Sequence, residues 1–123
     1  MVVVTRLRVP PGDAGTFRER AERVLAVLAG ERGYRWARLG RAVDDPELWM
    51  ITSEWDGVGA WRRALSAFDV RMELTPLMAY AVDEPGAFEV LLAHDAAGGP
   101  ARRGGSDLAA DAATAAPGGG PSR

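Results

Sequence analysis

Seven side chains in this sequence are candidates to line a ligand pocket: Tyr34, Trp36, Arg38, Trp49, Trp55, Trp61 and Tyr80. Indole and phenol rings give apolar walls with one polar handle each. An arginine among them can make charge-assisted hydrogen bonds. Spacing sorts the set. Tyr34, Trp36, Arg38 and Gly40 alternate along one face of an extended segment. A glycine inside a strand marks a bulge or a close approach, which makes this the favoured pocket face. Trp49 and Trp55 are an even step apart and share a strand face, whereas Trp61 follows the "DG" turn on a helical stripe with Val58 and Leu65. If the Trp49–Trp55 face meets the helices, the result is an aromatic-lined pocket or a packed core. If it meets a partner subunit, the result is an interface.

The remaining candidates have plainer readings. Asp44 and Asp45 precede Pro46 and suit a turn. Glu54 lies in a strand beside apolar residues and needs a partner such as an arginine if buried. Arg35 and Arg41 fall on the strand face opposite Trp36, where solvation or ion pairing is expected. The one histidine, His94, sits at the edge of the last apolar segment. Without cysteine there is no thiolate chemistry and no disulfide. All 15 basic residues are arginine, with no lysine for a Schiff base and no asparagine or glutamine for an oxyanion. A Ser–His–Asp triad or a His-rich metal site cannot be built in the core.

The elements that must position these residues follow from pattern. "VVVTRLRV" (2–9) reads as a strand closed by Pro10, Pro11 and Gly12. A helix starts near Asp13 or Thr16, where "TFRE" fits a capping box, and buries Phe17, Ala21, Val24, Leu25 and Leu28. Segments 34–43 and 48–55 form a hairpin across "DDP". A second helix covers 58–67, and a third stretch through Leu77 is interrupted at Thr75–Pro76. "AFEVLLA" (87–93) is the last strand. The order β-α-β-β-α-β predicts an α+β, ferredoxin-like domain over 1–95, with an antiparallel sheet and helices on one face. From residue 96 the chain turns to Ala, Gly and Pro, and 96–123 is expected to be a disordered tail.

Both faces of the first and third strands are apolar, and the helices cover only one. A second copy packed sheet to sheet is the economical cover, so a homodimer is expected. A net charge of −2 argues against nucleic acid, and no apolar run approaches the ~20 residues of a membrane span. A soluble, cytoplasmic protein is expected.

The segments "VVVTRLRVPPG", "FRERAERVLAVLAGERG", "DDPELWMITSEWDG" and "PLMAYAVDEPGAFEVL", spanning about residues 2–92, resemble the antibiotic biosynthesis monooxygenase family of dimeric α+β barrels. The resemblance implies cofactor-independent oxygenation of an aromatic or polyketide-like molecule. A deprotonated phenol held between sheet and helices supplies electrons to dioxygen, giving a quinone, with Arg35 or Arg38 favouring the anion. The quinone-forming members use an asparagine in that role, and this chain has none. A haem-degrading branch would place its tryptophan at Ala64 and its histidine at Leu74, so haem is rejected and no cofactor is expected. The resemblance leaves a second reading, a dimeric barrel that binds a hydrophobic ligand without turnover, or a polyketide cyclase-like accessory protein.

Overall fold

A computed structural model describes residues 1–96 and 99–104. Strand β1 (Val2–Arg8) is followed by helix α1 (Ala14–Ala29), strands β2 (Tyr34–Arg41) and β3 (Leu48–Trp55), and helices α2 (Val58–Ser66) and α3 (Phe68–Leu74). A 3-10 turn, Thr75–Tyr80, leads to strand β4 (Ala87–Phe88). The sheet order β2-β3-β1-β4, with every pairing antiparallel, is the ferredoxin-like arrangement expected from the element order.

The apolar stripe of α1 explains its docking: Phe17, Ala21, Val24 and Leu28 are buried. The helix starts from Asp13 with no side-chain cap, and Thr16 lies inside its first turn. The capping box read at "TFRE" therefore does not form. The Asp13 carboxylate instead accepts a hydrogen bond from the Tyr80 hydroxyl at 2.9 Å, tying α1 to the 3-10 turn. Pro76 stands in the first turn of that 3-10 segment, where its missing N–H costs nothing, so the chain restarts there as expected.

The β3 alternation is resolved. Trp49, Ile51, Ser53 and Trp55 are buried toward the helices, and Leu48, Met50, Thr52 and Glu54 are half-buried on the open face. On β2 the sequence reading needs a correction. A bulge between Tyr34 and Trp36 pairs Tyr34 with Trp55 but Trp36 with Glu54. The extra residue reverses the faces, so Tyr34 points to the helices while Trp36, Arg38 and Gly40 face outward. Alternation alone had put all four on one face.

The last strand also departs from expectation. Val2 pairs with Phe88 and Val3 with Ala87, which brings β4 to the very start of β1. The pairing with β1 ends at Phe88, short of the expected 87–93 strand. Leu92–Ala93 (β5) instead pairs with Arg102–Arg103 (β6) in a separate two-stranded ladder. Residues 97–98 and 105–123 of the expected tail lie outside the described residues. No helix among the described residues is long and apolar enough to cross a membrane.

Candidate functional site

A cavity of about 240 Å³ lies between the sheet and the helices. Its floor is Val3, Thr5 and Leu7 of β1 with Ile51 and Ser53 of β3; α1 contributes Val24 and Leu28, α2 contributes Trp61 and Leu65, and Leu74 and Met78 complete the lining, with Leu65 and Met78 exposed at the rim. The strand residues reach it because they alternate on the helix-facing side. The walls are apolar, and the polar side chains among them are the hydroxyls of Thr5 and Ser53.

Ser53 is only 2% exposed. Its Oγ accepts a hydrogen bond from the Trp55 indole N–H at 2.8 Å. A hydroxyl has one proton to donate and two lone pairs. With one lone pair engaged by Trp55, the Ser53 proton remains to be donated elsewhere. Accepting from Trp55 polarises that O–H and strengthens it as a donor.

Trp61 is the half-buried wall between this cavity and the exterior. It lies against Trp55 with ring centroids 5.4 Å apart and planes at 51°. It also borders an outer cleft of about 370 Å³ containing Arg6 and Glu84, and another of about 240 Å³ with Arg62 and Phe88. Three spaces therefore meet at one indole. Across the first cleft Arg6 grips Glu84 with two hydrogen bonds of 2.7 and 2.6 Å. This clamp holds the Glu84 carboxyl below its ordinary pKa.

Of the seven candidates named from sequence, Trp61 lines the inner cavity. Trp55 is fully buried behind it, with Tyr34 stacked edge-on at 5.7 Å. Trp49 is buried against Phe17 at 5.3 Å, and the Arg41 guanidinium sits 5.1 Å from its ring. Among the described buried side chains, its N–H is the one polar group without a partner. Tyr80 packs edge-on against Phe17, and its hydrogen bond to Asp13 raises its pKa above the ordinary phenol value. Trp36 and Arg38 lie on the open face, stacked at 4.6 Å.

The candidate anion-holding arginines are elsewhere too. Arg35 forms an ion pair with Asp56 at 2.8 Å, and Arg38 is exposed. Glu54 accepts its hydrogen bond from the Trp36 indole at 2.8 Å rather than from the arginine expected for it. Asp45 behaves as a turn residue: it caps the Glu47 N–H and bonds Arg8, and its pKa is lowered accordingly. Sequence reasoning passed over Thr5 and Ser53. The usable signal was Ser53 itself, a lone hydroxyl on a β3 face otherwise made of Trp49, Ile51 and Trp55.

Fold and cavity together define a small α+β domain with an apolar chamber under its helices. Residues 1–72 match the model of the antibiotic biosynthesis monooxygenase family, and the chain belongs to that family. Among solved structures it is similar to SnoaB of Streptomyces nogalater, described as a cofactor-independent oxygenase. The two share 26% identity over 66% of this chain and 82% of that one, with a TM-score of 0.59. It is also similar in fold to a conserved protein of Methanosarcina mazei Go1, at 16% identity, 70% and 84% coverage and a TM-score of 0.61. No curated protein matches the chain by sequence.

Proposed function

We propose that the chain is a cofactor-independent monooxygenase whose aromatic substrate occupies the chamber between sheet and helices. The observation that carries this reading is the chamber itself: apolar walls, Trp61 at its mouth, and the Ser53 hydroxyl in its floor. Family membership and the likeness to an oxygenase support it. Pockets for drug-sized ligands run from about 300 Å³ upward, so about 240 Å³ suits a compact fused-ring phenol.

In the proposed reaction the substrate is a phenol whose adjacent ring carries a methylene. Its anion supplies electrons to dioxygen, the methylene becomes a carbonyl with one oxygen atom, and the second leaves as water. The chain contributes orientation, an apolar setting and one hydrogen bond. Ser53, backed by Trp55, donates to the anionic substrate oxygen, a role for which donors aimed at developing charge are the largest single contribution. No side chain lining the chamber is a base, so the substrate enters as its anion or loses its proton to water.

That lack of an ionisable wall favours one second reading, a barrel that holds a hydrophobic aromatic without turnover. Oxygen uptake separates the two. Metal-free protein with anthrone-like phenols should consume dioxygen above the rate in buffer and form a quinone. Binding without uptake supports the second reading.

We further infer that a second copy covers the open sheet face. Val2, Val4, Leu48 and Met50 are half-buried there, with Val2 paired to Glu54, Met50 to Arg6 and Leu48 to Arg8. A surface carrying both an acid and a base beside an apolar centre is self-complementary, as an isologous dimer contact requires.

A further inference from the structure

We propose that Trp61, Trp55 and Tyr34 form a one-electron relay that carries oxidising equivalents from the chamber to the protein surface. The three rings stand in series. Trp61 borders the chamber, Trp55 lies 5.4 Å behind it, and Tyr34 lies 5.7 Å beyond Trp55. Trp55 is wholly shielded from water, so a charge passing through it is not quenched on the way. Tyr34 is half-buried at the start of β2, within reach of water. It owes this place to the β2 bulge, which turns it toward Trp55. Neighbouring π-systems in contact exchange single electrons readily, and tyrosine that sheds its proton is easier to oxidise than tryptophan at neutral pH. The relay therefore runs downhill from Trp61 to Tyr34.

A second aromatic row gives the internal contrast. Trp49, Phe17 and Tyr80 are in series at 5.3 and 5.6 Å, but the middle ring is phenylalanine, which is too hard to oxidise to pass a hole. These two rows contain both tyrosines of the chain.

The step balances. An oxygen-centred radical in the chamber takes one electron from Trp61 and becomes its anion. Trp55 refills Trp61, Tyr34 refills Trp55, and Tyr34 gives its phenolic proton to water. The net change is one radical reduced, one neutral tyrosyl radical formed and one proton released. The use of such a relay, clearing radicals that escape an oxygenation, rests on the proposed oxygenase reading; the relay itself does not.

The test is pulse radiolysis with azide radical, which oxidises indoles in preference to phenols and needs no substrate. In the full chain at neutral pH, the indolyl band should decay into the tyrosyl band at a rate independent of protein concentration. Tyr34→Phe and Trp61→Phe, which keep the ring packing, should lose this phase. Tyr80→Phe and Trp36→Phe should retain it. The proposal is overturned if the phase survives Tyr34→Phe or Trp61→Phe, if it is lost in Tyr80→Phe or Trp36→Phe, or if its rate scales with protein concentration. Because no turnover is involved, failure of oxygenation leaves this readout unaffected.

Discussion

Trp55 donates its indole N–H to Ser53 Oγ at 2.8 Å, and both residues lie on the helix-facing side of β3. The proposed reaction uses Ser53, held by this bond from Trp55, as the donor in the chamber floor. Ser53→Ala should lower kcat on a phenolic substrate by about 10²-fold, the effect of removing one oxyanion donor. It should also cost about 1–3 kcal/mol of stability, since the buried Trp55 N–H loses its partner. Ser53→Thr, which keeps the hydroxyl, should recover most of both. Steady-state kinetics and denaturant unfolding check the pair.

Trp61 divides the inner chamber from the outer clefts. Trp61→Ala should join these spaces and shift preference from compact to larger fused-ring phenols, seen as a change in the ratio of their kcat/KM values. Its stability cost should stay below the ~3–5 kcal/mol of a fully buried tryptophan, because Trp61 is half-buried. An unchanged size preference would remove Trp61 from the substrate wall.

The Arg6–Glu84 clamp makes a prediction about acid. The Glu84 pKa is depressed in the folded chain, first by its hydrogen bond to Arg6. A depressed carboxyl contributes stability above its unfolded pKa and loses it as pH falls through the folded value. Tm of the wild type should therefore exceed that of Glu84→Gln at neutral pH. The two should converge as pH drops below the ordinary carboxylate range. The site is solvent-exposed, so added salt should shrink the difference.

Gly33 has φ of +92°, and a Cβ placed on it would collide with the Ala60 Cβ of α2. Gly33→Ala should destabilise by roughly 2–4 kcal/mol, combining left-handed backbone strain with overpacking. Gly12, beside which a Cβ meets nothing within 4 Å, is the control: Gly12→Ala should be near neutral.

For the open sheet face, sedimentation should give a mass about twice the 13.1 kDa of the chain at micromolar concentration. Met50→Glu, which places a charge in the centre of that face, should return the monomer mass. A wild-type mass near that of the single chain would leave the face without a second copy.

Element types and their order could be read from the chain because each rests on local pattern. The β-branched run at 2–9, the stripe from Phe17 to Leu28 and the strict alternation of 48–55 have one good structural solution each. What escaped was what local pattern does not encode. The bulge at Tyr34–Trp36 adds one residue to β2 and exchanges the faces of every candidate beyond it. The short β4 reflects where its pairing with β1 ends, a fact about pairing rather than about "AFEVLLA". Thr16 looked like a cap and lies inside the first turn of α1, while Asp13 ahead of it is engaged by Tyr80, whose position depends on the turn at Pro76. The large rings and the arginine are the conspicuous side chains of the sequence, whereas the hydroxyls in the chamber floor belong to the small residues Thr5 and Ser53.

The most direct test of the oxygenase reading follows the oxygen atoms. Metal-free protein turns over an anthrone-like phenol under isotopically heavy dioxygen, and the quinone is weighed by mass spectrometry. The account predicts one heavy oxygen in the new carbonyl, with a yield that falls in Ser53→Ala. A quinone whose new oxygen comes from water, or one formed no faster than in buffer, would contradict it.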